Sequence, residues 1–223
     1  ASLSEGTHDL NIEDVISSGI TGLGTIIAIV DTGLELTHED LSANVVAGKS
    51  YDYSDQDNNP EPINFLGDHG TSIAGLTSAV GGNNIGVRGV APNSKIVGFN
   101  VIAGSNNTTS NMVDALGGAS GGADTQQVDI FNMSFGANAD RFFPSPLNSS
   151  IEAAFKNGAD NLRSGKGAIY VTSAGNHWSF RENSNIYYCG PNYGVNNSAE
   201  GFPCRDARFE TKLNIPYVIV VAS

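Results

Sequence analysis

Basic side chains are scarce in this sequence. Eleven Lys and Arg stand against 23 Asp and Glu, for a formal net charge of −12. No Lys/Arg cluster occurs, so phosphate recognition has no basic patch to work with and a nucleic-acid partner is excluded. Charged residues total only 15%, against about 25% in an ordinary globular chain. Asn, Ser and Thr supply the polar surface instead. No run approaches the ~18 consecutive apolar residues of a membrane-crossing helix. No charged-then-apolar leader precedes Ala1, so any export signal has been removed or lies outside this sequence. Only two cysteines are present, Cys189 and Cys204. They do not form a CxxC pair, which argues against zinc.

The rest is enough for a folded domain. The 223 residues, 39% hydrophobic, suit one large domain or two small ones at roughly 100–200 residues each. Short β-branched runs at 25–30, 95–102, 128–133, 168–172 and 217–222 read as strands buried on both faces. Helical patterns lie between them. Residues 69–80 place Ile73, Leu76 and Val80 on one face; 111–119 and 149–162 are the others, and Ser149 and Glu152 have capping-box spacing. A short helix near residue 11 precedes the first strand. Strands alternating with helices predict an α/β fold, a mainly parallel sheet covered on both faces. No internal repeat or linker divides the chain.

Two Asx-rich loops are expected, at 51–61 and 105–110, and a longer one runs from His177 to about Asn214. Both cysteines fall in the long loop. They either close it as a disulfide or remain two buried thiols. The Asn, Gly and Tyr content of the segment favours the disulfide, which would place the protein outside the cytoplasm.

In an open parallel sheet, reactive groups gather at the carboxyl ends of the strands. The first strand ends in Asp31-Thr32-Gly33. Taken alone, Asp31 also suits a turn-capping role. His69 precedes the second helix, where a plain loop histidine is equally reasonable. Read together, five segments are more specific: 27–33 around Asp31, 69–75 around His69, 86–92, 132–136 and 172–176. In that order they resemble the subtilisin-like serine proteases over nearly the whole chain. Residues 51–57 with Pro60 and Pro62, the Asn83-Asn84 pair, 93–96, 9–12 and 165–170 resemble most closely the kexin and proprotein-convertase branch.

The resemblance implies a three-layer subtilisin-like fold and a serine endopeptidase. Asp31 would orient the base and His69 would take the proton. Asn176 would donate to the oxyanion; without the resemblance it reads as a turn residue after Gly175. A serine hydroxyl is a weak nucleophile until such a base acts on it. The nucleophile itself is missing. The family carries it in a Gly-Thr-Ser-x-Ala segment beyond the strand that 217–222 resembles. Gly70-Thr71-Ser72-Ile73-Ala74 imitates that segment, but Ser72 belongs to the first turn of the His69 helix. The resemblance therefore reads 1–223 as one catalytic domain, incomplete at both ends and inactive alone.

Further expectations follow from the same resemblance. Calcium would be held by Asp40, the Asn83 side chain and the carbonyls of Val80, Ile85 and Val87; an ordinary Asn-Asn turn is the plainer reading. Residues 55–59 mimic the start of an EF-hand loop but lack its Gly and closing Glu, and read as surface. Ser134, Phe135 and Gly136 would pair with a substrate peptide as an added strand. Asp206, Asp114 and Glu182 would favour basic residues before the cut, although solvated surface acids explain them equally. The second Asp of many convertases is Thr32 here, and another pocket Asp falls on Ala139, beside Asp140. Expected partners are a peptide or protein substrate, the remainder of the domain with its serine, a propeptide and a C-terminal accessory domain. The expected setting is secreted or periplasmic. A non-catalytic peptide-binding domain of the same fold is the alternative. A nucleotide-binding domain fits worse, because Asp31-Thr32-Gly33-Leu34 is not a Gly-rich phosphate loop.

Overall fold

The computed structural model describes residues 11–62, 68–103, 108–118, 121–136, 147–175, 179–182, 185–188 and 214–221. Six strands form one sheet: β1 (Ile26–Asp31), β2 (Tyr51–Asp52), β3 (Lys95–Asn100), β4 (Ile130–Met133), β5 (Ile169–Ser173) and β8 (Val218–Val221). Their order is β2-β3-β1-β4-β5-β8 and every pairing is parallel. Helices α1 (Glu13–Ser17), α2 (His69–Ser78), α3 (Thr109–Ala115) and α4 (Ser149–Gly165) complete the frame. The predicted strands and helices are all present, with ends shifted by a few residues.

Within the expected long loop lies a two-stranded antiparallel hairpin, β6 (Ser179–Glu182) with β7 (Asn185–Tyr188). Four-residue strands are too short to give a clear alternation in sequence. The α4 cap also differs from the expectation. Asn148, not Ser149, is the N-cap, and its side chain accepts from Ser150 N at 2.9 Å. Asn holds this position because its short side chain reaches the orphan N–H groups of the first turn. The regular helix ends before Leu162, whose ψ is 164°, and Arg163 and Ser164 then take φ of +57° and +59°.

Two cores flank the sheet. Under α3 and α4, Phe131, Phe155 and Tyr170 are nearly or fully buried. Tyr170 stacks on Phe131 at 4.8 Å and meets Phe155 edge-on at 5.0 Å. Burying an aromatic side chain of this size contributes roughly 1.5–3 kcal/mol, so these rings anchor the larger core. Under α2 the core is smaller: Ile27, Ile29, Leu34, Leu41, Ala74, Ala79 and Ile96. The buried face of α2 is Gly70, Ala74 and Ser78, which lets the helix lie close on β1 and β3. Leu76, expected on the buried face, is 62% exposed. Small residues make the closest helix–sheet contact, and they take the inner face.

The α2 side of the sheet is covered unevenly. By register, Ile27, Ile130 and Ile169 share one face, as do Ile29, Asn132, Val171 and Ile219. α2 packs on β1 and β3. Ile169, Ile219 and Val221 are 47%, 55% and 55% exposed. Among the described residues, the half of this face formed by β5 and β8 is thus apolar and largely uncovered.

β1 is followed by α2 on one face, whereas β4 is followed by α4 on the other. The strand order therefore switches between β1 and β4. Open α/β sheets bind ligands at the carboxyl side of such a switch. Asp31 ends β1, and Ser134 follows β4.

Candidate active site

Asp31 ends β1 with no exposed surface, and His69 begins α2 with half of its side chain exposed. His69 Nδ1 lies 2.7 Å from Asp31 Oδ1. The same oxygen accepts from Thr32 N at 2.7 Å. A carboxylate receiving a backbone N–H has no proton to give along that contact, so Nδ1–H donates and Nε2 is left as acceptor. This is the tautomer a general base needs. Among the described residues Asp31 Oδ2 is buried without a hydrogen-bond partner, so the acid's described partners act through one oxygen.

Glycine makes the approach possible. A methyl group on Gly70 would collide with the carbonyl oxygen of Gly33 and crowd the Asp31 Cβ at 3.1 Å. Gly33 has φ of +129° and carries the chain away from β1. Leu34 N then bonds Pro60 O at 2.8 Å. Two hydroxyls tie the same elements together: Thr32 Oγ1 accepts from Gly70 N at 3.1 Å, and Thr71 Oγ1 accepts from Glu35 N at 2.9 Å. These bonds join residues 36–38 positions apart, and nothing in the local sequence marked them.

At the end of β4, Asn132 Nδ2 donates to Ser134 Oγ at 2.9 Å; beyond it Phe135 packs against the larger core and Gly136 is exposed. The segment thus leaves the sheet beside the β1 tip. Asn176 lies outside the described residues, directly after Gly175 at the carboxyl end of β5. Ser72 sits in the first turn of α2, as expected.

A family profile described as the subtilase family matches residues 22–222. The chain belongs to the subtilase family. The subtilase domain is 35% identical to furin-1 of Xenopus laevis over 177 residues, 78% of this chain and 22% of that protein. It is 35% identical to kexin of Saccharomyces cerevisiae over 178 residues, 79% and 21% of the two chains. With human neuroendocrine convertase 2 the figures are 34%, 77% and 27%. The similarity therefore lies with the kexin and proprotein-convertase branch, and the subtilase domain spans only about a fifth to a quarter of these relatives. Among solved structures, a serine protease of Aeromonas sobria superposes with a TM-score of 0.71 at 26% identity, covering 91% of this chain and 32% of that one. The same protease in complex with its chaperone gives 0.63 at 29% identity, with 75% and 28% covered.

The residues expected to hold calcium do come together. Asp40 is buried; Asn83 Nδ2 donates to its Oδ1 at 2.7 Å and Val87 N to its Oδ2 at 2.9 Å. Val80 N bonds Asp40 O at 3.0 Å, and Ile85 N bonds Asn83 Oδ1 at 3.1 Å. Gly86 leaves no room for a Cβ against Asp40 Oδ2. The loop after α2 thus wraps the carboxylate. Among the described residues no group of three His, Cys, Asp or Glu could hold a metal; the bonds that reach Asp40 here come from N–H groups, two of them on its carboxylate. A hard cation at Asp40 would need the Asn83 amide turned to present its oxygen.

One of the expected specificity acids is enclosed by the fold. Asp114, in the last turn of α3, is buried: its Oδ2 accepts from Tyr53 Oη at 2.6 Å, Gly122 N at 2.8 Å and Ala123 N at 3.1 Å. A carboxylate so enclosed is turned into the fold and away from a peptide groove. Burial, aided by Asp114, pushes the Tyr53 phenol far above its ordinary value. Glu182 ends β6 opposite Asn185. Asp206, Cys189 and Cys204 lie outside the described residues. The 51–61 loop folds onto Asp52, whose carboxylate accepts from Ser54 N at 2.6 Å and Asn100 Nδ2 at 2.8 Å. No described helix is long and apolar enough to cross a membrane.

Proposed function

We propose that this subtilase domain is part of a serine endopeptidase. The observation that carries the reading is the His69 Nδ1 to Asp31 Oδ1 contact of 2.7 Å, with the acid buried and the base half open. Asp31 fixes the tautomer of His69 and offsets the charge of the imidazolium. Nε2 of His69 takes the hydroxyl proton of the nucleophilic serine as it attacks the scissile carbonyl, and later returns it to the leaving amine. Asn176 donates its amide to the developing oxyanion, a contribution of about 10²–10³ in turnover in enzymes of this type. Ser134, Phe135 and Gly136 offer main-chain groups to an extended substrate.

The serine belongs to the remainder of the catalytic domain. The bare apolar half-face of β5 and β8 supports this reading, because a sheet face of this kind requires a covering layer. It opens beside α2, on the face that carries Asp31. A propeptide or chaperone partner is supported by the Aeromonas sobria complex, and an accessory domain by the greater length of the relatives. A preference for basic residues before the cut rests on the acidic excess and on Asp206 and Glu182. Secretion rests on the kexin-like and furin-like relatives and on the Cys189–Cys204 pair. Calcium, where bound, would tie the α2–β3 loop to Asp40 through Asn83 and the carbonyls of Val80, Ile85 and Val87.

The test uses the full-length protein, a set of basic and apolar peptide substrates, and a fluorophosphonate probe with mapping of the labelled residue. Hydrolysis blocked by the probe, with the label on one serine and lost in His69→Ala, supports the assignment. Folded protein that binds peptides without cutting them, and takes no label, establishes the non-catalytic alternative.

A further inference from the structure

A dyad bond between two separate elements needs those elements held in place. β1 and α2 meet end to end at Asp31 and His69, and the first-turn N–H groups of a helix have no intrahelical acceptors. An N-cap side chain ordinarily supplies one. Here the N-cap residue, Asp68, makes no side-chain cap bond. The acceptor comes instead from the residue after β1: Thr32 Oγ1 takes Gly70 N at 3.1 Å. In the opposite direction, Thr71 Oγ1 on the helix takes Glu35 N at 2.9 Å. The two bonds run antiparallel across the junction and flank the 2.7 Å dyad contact. Each hydroxyl sits one residue after Asp31 or two after His69, so neither can slip without moving a member of the dyad. Threonine is suited to this work, because its β-branch restricts χ1 and aims the oxygen.

We propose that Thr32 and Thr71 are positioning residues: their hydroxyls form a clasp that sets the His69–Asp31 separation and through it the rate of the chemical step. The proposal rests on the protease reading above. Displacing reacting groups by about 1 Å can cost about 10²-fold in rate, so a clasp of two hydrogen bonds is enough to govern turnover. Thr32 also stands where the convertases carry a second acid. In this chain the hydroxyl at that position bonds the first turn of α2.

The test compares Thr32→Val, Thr32→Ser, Thr71→Val and Thr71→Ser in the full-length protein. Two quantities are read: kcat and KM on a cleaved peptide, and the downfield proton resonance of His69 Nδ1–H, identified by its loss in His69→Gln. Thr32→Val is expected to lower kcat by about tenfold or more with KM within about twofold, the pattern of a loss felt only in the transition state. The Nδ1–H resonance should move upfield or broaden. Thr32→Ser should restore both, and the Thr71 pair should behave alike. Folded Thr32→Val and Thr71→Val proteins with wild-type kcat and resonance overturn the clasp, as does equal loss in the Ser and Val variants. Should Thr32→Val not fold, the Thr71 pair decides. If the wild-type protein cleaves no peptide, the protease reading falls and the Nδ1–H resonance alone decides the clasp.

Discussion

His69 Nδ1 stands 2.7 Å from Asp31 Oδ1, although the two residues are 38 positions apart in sequence. The acid receives Thr32 N on the same oxygen and is sealed from solvent. Replacing Asp31 by Asn presents an amide that can donate to the ring and favours the wrong tautomer. Asp31→Asn in the full-length protein should lose about 10⁴ in kcat while its denaturation midpoint stays close to wild type. Activity within about tenfold of wild type would remove Asp31 from the mechanism.

Gly70→Ala probes the closest backbone approach at the site. The added methyl meets the Gly33 carbonyl and the Asp31 side chain, and backbone atoms cannot step aside cheaply. Overpacking of this kind costs about 1–3 kcal/mol. Urea unfolding should show that loss together with a fall in kcat, since the dyad must open to admit the methyl. A neutral variant would mean that the junction is looser than its distances imply.

Alkaline pH should destabilise the fold through two tyrosines. Burial raises the phenols of Tyr53 and Tyr170, and Asp114 adds to the effect at Tyr53. Both stay protonated in the native state while the unfolded chain ionises near pH 10. Their stabilising contribution is therefore complete below about pH 10 and declines above it, by about 1.4 kcal/mol per pH unit for each group. Chemical denaturation from pH 8 to 11 should show the decline, and Tyr53→Phe should reduce its slope. An unchanged slope in that variant would contradict the assignment.

The bare half-face predicts a covering layer in the full-length protein. Ile219→Lys there should cost about 2 kcal/mol or more, because it buries an unpaired charge. An open surface position tolerates the change within about 0.5 kcal/mol. The thermal or urea midpoint separates the two outcomes.

Calcium at Asp40 predicts a response to chelator. A ligand at about a hundred times its dissociation constant adds about 2.7 kcal/mol, so EDTA should lower the Tm by several degrees, and Asp40→Ala should lose that response. An unchanged Tm in wild type would leave the loop held by the Asn83 and Val87 hydrogen bonds alone.

Five strands of the main sheet were legible because each is a short β-branched run, a pattern that survives without knowledge of the partners; two-residue β2 and the β6–β7 hairpin were not. The helix at 69–78 was legible as well, but its orientation was not. Leu76 suggested an inner face that Gly70, Ala74 and Ser78 occupy instead, because contact distance and not hydrophobicity chose the side that meets the sheet. Asp114 misled for a related reason. Its charge suggested solvent, and only the fold places Tyr53 and the Gly122 and Ala123 amides around it.

The sequence by itself determined the family, five strands of the main sheet in chain order, and Asp31 and His69 as the candidate pair. Those features depend on residue type and local spacing, which a linear text preserves. Tertiary structure alone decided that the strand order switches between β1 and β4, that the two dyad residues meet there, and that Thr32 and Thr71 bind across the junction. Hydrogen bonds at about 3 Å between residues nearly forty positions apart depend on how elements dock. Docking is settled by which small side chains let two backbones come close, and Gly33 and Gly70 record that choice in space while remaining two ordinary glycines in the sequence.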